Sequence, residues 1–410
     1  MIVRGGTVVS TRGVQVADVA IEDGVITKVG PNLSGGGDEI DARGLHVFPG
    51  GIDSHVHFNE PGRTEWEDIA HGSSALAAGG YTAFIDMPLN NIPVTTTAEA
   101  FDLKLEAMRR SARVDYGLWG GLVPGNADQL GPMVEHGAMG FKAFMCPSGI
   151  DEFPACDEPT LREGMKRIAA LDSILLVHAE DPALLREPAG PTPRDFVESR
   201  PPEAEVKAIE LCAALSEETG CSVHIVHVST ARGAALLGEN VSGETCPHYL
   251  LYTEADIERI GGTAKCAPPL RRQRMPLLPI VVSDHSPSTI DLKLGDDYRN
   301  IWGGIAGCQS TRQLLLADER SDPLTVATVT ATDIARRFRI KGKGDIAPGF
   351  DADLWLVDLS HEGVVRREDL LYKNRFSVHE GQKIRGKTVK TLVRGMEPGR
   401  GQFIRPGVRL

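Results

Sequence analysis

The spacing of hydrophobic residues divides this chain into three stretches. Residues 1–50 and 340–410 contain short runs of β-branched residues with glycines and acidic residues between them, which is the pattern of strands joined by tight turns. From about residue 51 to residue 338, apolar runs of strand length alternate with segments of helical periodicity. The pattern predicts a central α/β region between two β-rich ends.

Eight apolar runs of the central region have the length of a buried strand. They cover residues 51–58, 82–87, 116–123, 139–145, 174–178, 223–228, 243–250 and 280–283. Eight β/α units in a stretch of this size are typical of a TIM-like (β/α)8 barrel. We therefore predict an α/β fold, with a barrel over residues 51–339 and a small discontinuous β-sandwich domain formed by residues 1–50 and 340–410.

The composition narrows the class of protein. The chain is 41% hydrophobic, which excludes a disordered protein. No apolar run reaches the ~20 residues of a membrane span, and the N-terminus carries no signal-peptide pattern. The net charge of −12 argues against a nucleic-acid partner. The seven cysteines are scattered and form no C-x-x-C pair, which favours reduced thiols in a cytoplasmic protein.

The first candidate for chemistry is a histidine pair at the end of the first predicted strand. Asp53, His55 and His57 point to one face, because side chains alternate along a strand. Two imidazoles this close together suit a divalent transition metal. The alternative for an isolated H-x-H pattern is a pair of ordinary histidines.

Lys142 stands in an otherwise apolar strand, where a cationic amine is costly to bury. It extends its amine to solvent, pairs with a carboxylate, or is a neutral amine that has taken up carbon dioxide. The carbamate formed in that way would be an anionic ligand able to bridge two metal ions. The spacing alone favours a structural role.

Three further candidates lie at strand ends, where a barrel carries its chemistry. His178 ends the fifth predicted strand, and Asp284, which can ligate a metal and shuttle a proton, ends the eighth. His224 and His227 are three residues apart and face opposite ways, so we select His227, nearer the C-terminal end, and assign His224 a structural role. All these residues together predict metal-assisted hydrolysis with a hydroxide as the nucleophile.

The order of these motifs resembles that of the cyclic amidohydrolases: D-x-H-x-H, G-F-K, H-A-E, H-x-x-H-V-S and S-D-H-S. This group of the amidohydrolase superfamily contains dihydroorotases, dihydropyrimidinases (hydantoinases) and allantoinases, and the resemblance covers essentially the whole chain. It implies a homotetramer and two divalent metal ions, with zinc before cobalt, manganese or iron. The implied ligands are His55, His57 and Asp284 for one metal, His178 and His227 for the other, and carboxylated Lys142 as the bridge.

A few positions discriminate within this group. Dihydroorotases place an arginine at the position of Asn59, and dihydropyrimidinases place a tyrosine after the strand of the bridging lysine, where residues 144–149 have none. Five segments instead resemble those of allantoinases, namely residues 59–66, 86–90, 148–154, 244–249 and 302–305.

The resemblance thus implies the cyclic ureide allantoin as substrate. A bridging hydroxide would open its hydantoin ring to give allantoate, and Asp284 would act as the catalytic residue that passes the proton to the leaving nitrogen. The alternatives are a hydantoinase (dihydropyrimidinase), a dihydroorotase, or a non-catalytic scaffold of the same fold.

Substrate contacts are predicted at or just beyond the strand ends. Asn59, Asn90 and Ser148 either hydrogen-bond a ureido group or serve as caps of their loops. The resemblance adds backbone groups near Ala267 and Gly304.

One stretch departs from the resemblance. Only residues 271–279, with two prolines, precede the eighth predicted strand, whereas a parallel crossover needs about a dozen residues, usually with a helix. We expect either a truncated helix or an altered geometry between strands seven and eight, and the position of Asp284 depends on which it is. His248, assigned to the seventh strand, either faces the site or is a core histidine.

Overall fold

The computed structural model describes residues 1–35 and 37–410, and both ends of the chain contribute strands to one sheet. These strands are β1 (Ile2–Ser10), β2 (Gly13–Glu22), β3 (Val25–Gly30), β4 (Glu39–Asp41), β5 (His46–Pro49), β14 (Leu354–Val364) and β15 (Lys383–Leu392). Their order is β15-β14-β5-β1-β2-β3, with β4 beside β1. Alternate side chains such as Val8, Val19 and Leu354 form a separate small core, as the period of two along a strand requires.

The central region forms parallel strands. They are β6 (Gly51–Val56), β7 (Tyr81–Asp86), β8 (Asp115–Leu118), β9 (Gly120–Gly121), β10 (Phe141–Phe144), β11 (Ile174–His178), β12 (Ser222–Ile225) and β13 (Val241–Gly243). Only Trp119 separates β8 from β9, so the two together form the third strand of the barrel. Every residue of β6, β7, β10 and β11 is buried, which is expected where helices cover a parallel sheet.

An eighth segment closes this barrel by lying between β13 and β6. Val281 forms a parallel bridge with Thr245, just after β13, and His285 forms one with Val56 of β6. The structure therefore has the eight-stranded order of a (β/α)8 barrel, which confirms the predicted fold class.

The helices lie between these strands and after them. They are α1 (Ile69–Ala78), α2 (Ala98–Ser111), α3 (Leu130–His136), α4 (Glu158–Ala170), α5 (Pro193–Ser199), α6 (Pro202–Thr219), α7 (Ala231–Ala234), α8 (Pro247–Leu251), α9 (Glu254–Ile260), α10 (Thr311–Ala317), α11 (Pro323–Ala327) and α12 (Asp333–Arg337). Local sequence sets their ends: α4 begins where the Asp157 side chain accepts the Thr160 N–H, and α6 ends at Gly220 with a left-handed backbone. No helix of the described residues is both long enough and apolar enough to cross a bilayer.

The prediction for the seventh strand was wrong in its extent. The strand ends at Gly243, and Pro247 starts helix α8, because proline suits the first turn of a helix and not a central strand. The connection to the eighth strand therefore contains α8 and α9 before residues 271–279, which form no helix. The crossover is long enough without a helix in that stretch, so its shortness does not displace Asp284.

Candidate active site

The C-terminal ends of the barrel strands bring the six predicted metal ligands together. His55 lies in β6, Lys142 in β10 and His178 at the end of β11. His57, His227 and Asp284 lie just after the ends of their strands. A cavity of about 60 Å³ is lined by all six, His55, His57, Lys142, His178, His227 and Asp284. The arrangement follows from the barrel, whose parallel strands all end at the same face.

The first candidate ligand group consists of His55, His57 and Asp284. The Oδ1 atom of Asp284 lies 3.1 Å from His55 Nε2 and 3.5 Å from His57 Nε2. One donor atom from each residue lies within 4.8 Å of the other two. Two imidazole nitrogens and a carboxylate oxygen at this spacing suit a divalent transition metal.

The second group is a histidine pair on the opposite strands. The Nδ1 atom of His178 lies 3.1 Å from Nε2 of His227. Burial lowers the pKa of both imidazoles, and the nearby Lys142 lowers it further. The two rings are therefore neutral at neutral pH, which is the form that ligates a metal.

Lys142 is buried, and its Nζ has no hydrogen-bond partner among the described residues. Burial lowers the pKa of its amine to about 7, although the carboxylates of Asp284 and Glu244 oppose the shift. Much of the amine is thus uncharged at neutral pH. An uncharged amine is the form that reacts with carbon dioxide, so the environment suits a carbamate better than an ion pair.

Asp284 is held as a carboxylate. Burial alone would raise the pKa of its carboxyl, but the imidazoles of His55, His57 and His227 lower it well below the usual range. Asp284 (φ 47°) and His227 (φ 40°) both have a left-handed backbone. This conformation costs about 1–3 kcal/mol for a non-glycine residue and is concentrated at functional sites.

Two buried glutamates contact the candidate ligands from behind. They lie in the H-A-E motif and in residues 244–249, but neither was assigned a role from the sequence. Glu244 Oε1 lies 2.5 Å from His55 Nδ1, and Glu180 Oε2 lies 2.8 Å from His178 Nε2. Arg200 and His178 hold the pKa of Glu180 at about 2 against its burial. Such carboxylates set the tautomer and orientation of a ligating histidine. Each lies within two residues of the end of a strand, which was the available signal.

His248 lies in α8 and not in a strand. One of its ring nitrogens lies within 4.8 Å of ligand atoms of Cys246 and Asp284. Neither nitrogen has a hydrogen-bond partner among the described residues, and burial lowers the pKa of the ring to about 4. His248 is therefore a neutral histidine at the edge of the ligand group.

The predicted substrate contacts separate into two sets. Asn90, Ser148, Ala267 and Gly304 line the cavity. The Ser148 hydroxyl lies 2.7 Å from the Phe153 carbonyl, so it also fixes its own loop. Asn59 is buried outside the cavity lining, and its side-chain amide has no partner among the described residues. The structure adds sequence neighbours of the predicted site residues to the lining, among them Leu89, Cys266, Ser286 and Trp302.

The fold and the site define a class of protein: a (β/α)8 barrel with histidines, a carboxylate and a buried lysine around one cavity at the C-terminal ends of its strands. Residues 46–396 match the model of the Amidohydrolase family, and the chain belongs to this family. The family predicted from the motif order is thus confirmed.

Two similar bacterial proteins are both named allantoinase. The chain is 49% identical to the allantoinase of Rubrobacter xylanophilus over 99% of this chain and 97% of that protein. It is 48% identical to the allantoinase of Solibacter usitatus over 96% and 92%. The first alignment runs over 443 positions, more than the 410 residues of this chain, so that relative carries segments that this chain lacks.

The fold is shared with a solved hydantoinase. The L-hydantoinase (dihydropyrimidinase) from Arthrobacter aurescens superposes with a TM-score of 0.94 at 30% identity, over 98% of this chain and 99% of that one. The whole chain, including its terminal sheet, therefore has the architecture of that enzyme.

Proposed function

We propose that this protein opens the hydantoin ring of allantoin to give allantoate, as a metal-dependent cyclic amidohydrolase. The observation that carries the proposal is the identity of 49% to a protein named allantoinase over nearly the full length of both chains. The neutral Asn90, Ser148 and backbone groups around the cavity suit an uncharged ureide, because ureido N–H and carbonyl groups need matching acceptors and donors.

The residues fit two divalent metal ions. His55 Nδ1 faces Glu244, so its Nε2 carries no hydrogen and yet lies 3.1 Å from the carboxylate of Asp284. A nitrogen lone pair and a carboxylate oxygen this close together suit a divalent cation that both would ligate. His55, His57 and Asp284 would hold one ion, His178 and His227 the other, and Lys142 as a carbamate would bridge them. Zinc suits this donor set, as do cobalt, manganese and iron.

Bound divalent ions would lower the pKa of a coordinated water and polarise the ring carbonyl. The chain itself supplies proton transfer and orientation. Asp284, held as a carboxylate, would accept a proton and deliver it to the leaving ring nitrogen. Asn90 and Ser148, with the backbone at Ala267 and Gly304, would orient the ring.

The test is a substrate panel of allantoin, hydantoin, dihydrouracil and dihydroorotate, with metal analysis on the same purified sample. We expect turnover of allantoin in preference to the other three and two metals per chain. Turnover of hydantoin or dihydrouracil with allantoin left intact would overturn the assignment in favour of a hydantoinase. That enzyme is the second candidate because of the TM-score of 0.94 with the Arthrobacter protein. A protein that binds no metal and turns over none of the four would be a non-catalytic scaffold.

We also propose a homotetramer in a reducing cytoplasm. The family resemblance supports the tetramer. The compartment is supported by the seven cysteines, which are all unpaired and buried. Light scattering on the eluted protein would measure the assembly, and a monomer would contradict it.

A further inference from the structure

We propose that a hydrogen-bonded chain from Arg337, at the opposite end of the barrel, selects the tautomer of His55 and thereby presents its Nε2 to a metal ion. The inference rests on the proposed function only for the presence of that ion. It makes Arg337, Ser242, His224 and Glu244 positioning residues. None of them lines the active-site cavity.

The hydrogen-bonded chain runs without a gap through the barrel core. Arg337 Nε donates to Ser242 Oγ, which lies 2.7 Å from His224 Nδ1. His224 Nε2 lies 3.1 Å from Glu244 Oε2, and Glu244 Oε1 lies 2.5 Å from His55 Nδ1. His224, Glu244 and His55 are at most 1% exposed, so the inner half of this path is shielded from water.

Arg337 gives the chain a direction, because a guanidinium only donates hydrogen bonds. Its Nη2 is anchored at 3.0 Å from Ser222 Oγ and 2.8 Å from the Val223 carbonyl. The Ser242 hydroxyl must accept from Arg337 Nε. Its own hydrogen then points to His224 Nδ1 at 2.7 Å, since the Val223 carbonyl is 3.5 Å away.

His224 passes this direction on. Burial lowers the pKa of its ring well below the usual value, and the charge of Arg337 lowers it further, so the ring is neutral. A neutral imidazole that accepts at Nδ1 carries its hydrogen on Nε2 and donates it to Glu244 Oε2. His224 thus passes on the direction of the hydrogen bonds, in addition to packing in the core.

Glu244 then orders His55. A glutamate carboxylate only accepts hydrogen bonds, and it can do so at either oxygen. With Oε2 occupied by His224, Oε1 accepts from His55 Nδ1. The hydrogen of His55 is therefore held on Nδ1, and Nε2 is left as a free electron pair towards Asp284.

The hydrogen-bonded chain begins far from the active site. Arg337 is the last residue of α12 and lines a separate cavity of about 750 Å³, together with Ile174, Ser222 and Ile280 at the N-terminal ends of the strands. Residues at this end of a barrel normally serve stability. Here the side chain reaches a metal ligand through three intermediates.

The first test compares Arg337→Met with Arg336→Met. Arg336 lines the same cavity but is exposed and pairs with Asp333 at 2.9 Å, so it is the matched control. The readout is the zinc dissociation constant, measured by competition with a chromogenic chelator. We expect Arg337→Met to weaken zinc binding about 10–100-fold, the usual cost of losing a partner behind a metal ligand, and Arg336→Met to leave it unchanged. Wild-type affinity in Arg337→Met would overturn the proposal.

The second test uses Ser242, where the change in volume is small. Ser242→Ala removes the hydroxyl link and should weaken zinc binding in the same direction, whereas Ser242→Thr keeps the hydroxyl and should restore it. The absorption bands of the cobalt-substituted protein should shift in the Ala variant alone. An equal loss of zinc affinity in both variants would show a packing effect and contradict the proposal. Wild-type protein that binds no metal would instead defeat the proposed function, so the two failures are distinguishable.

Discussion

At the scale of single residues, hydrogen-bond partners distinguish one buried lysine from another. Lys104 is fully buried, yet its amine lies 2.7 Å from the Asp86 carboxylate and 2.9 Å from the Met87 carbonyl. Lys142 is equally buried, and it is the one lysine in the described part of the chain whose buried amine lacks a partner. A buried amine without a hydrogen-bond partner is explained if it becomes a metal ligand as a carbamate.

Lys142→Ala should therefore abolish turnover and lose at least one of the two metals, because the bridging ligand is removed. Metal content by mass spectrometry and turnover of allantoin are the measurements. Lys104→Met is the matched control: it removes a buried amine elsewhere and should lower stability while leaving the metal content intact. Two metals per chain in Lys142→Ala would remove the carbamate hypothesis.

At the scale of elements, the turn between α1 and β7 shows how a helix end joins the barrel to the terminal sheet. Gly80 has a left-handed backbone (φ 84°), and a Cβ there would lie 2.4 Å from the ring of Trp355 in β14. Its carbonyl accepts from Arg312 at 2.7 Å and from the Gly51 N–H at 2.9 Å. The glycine is required both for its backbone and for the close approach.

Gly80→Ala should lower the free energy of unfolding by about 1–3 kcal/mol through overpacking, in addition to the backbone strain. Gly220→Ala separates the two causes: Gly220 has φ 72°, but no atom lies within 4 Å of its added Cβ. Urea denaturation of both variants would measure the difference. Equal losses would mean that Trp355 moves aside without cost.

At the scale of the whole molecule, a buried ion cluster links the barrel to the terminal sheet. Lys343 Nζ lies 2.7 Å from Asp115 in β8, 2.6 Å from Asp353 and 3.1 Å from Asp351, both just before β14. Arg394 also pairs with Asp115. Burial alone would lower the pKa of Lys343, but the three carboxylates raise it above the usual value, so the amine stays charged.

Lys343→Met should lower the free energy of unfolding by about 3–5 kcal/mol, because three buried carboxylates lose the cation that they share. Lys341→Met, at an exposed position two residues away, should have little effect. Calorimetry on both variants would measure the change. If Lys343→Met melted as the wild type does, the cluster would not be what joins the two parts.

Much of the architecture could be predicted from local patterns. Strand-length apolar runs and helical periodicity were sufficient for the barrel class, and the positions at strand ends were sufficient to group His55, His178 and Asp284. The seventh strand was misjudged because an apolar run of this length, residues 243–250, suits a short helix as well as a strand. Pro247 was the overlooked signal.

Those patterns could not predict contacts between distant parts of the chain. Glu244 lies 189 residues from His55, and Arg337 lies 95 residues from Ser242. Asn59 follows His57 by two residues, yet it is buried outside the cavity lining because the chain has already turned away from the strand.

The sequence by itself determined the barrel, the family and the kinds of side chain at the strand ends, because a strand alternates its faces and a parallel barrel gathers its strand ends on one side. Only the tertiary structure decided the state of those side chains. Burial makes Lys142 partly neutral, neighbouring imidazoles keep Asp284 charged, and a chain of hydrogen bonds from Arg337 orders His55. The reason is that desolvation and hydrogen-bond direction depend on what surrounds a group in space.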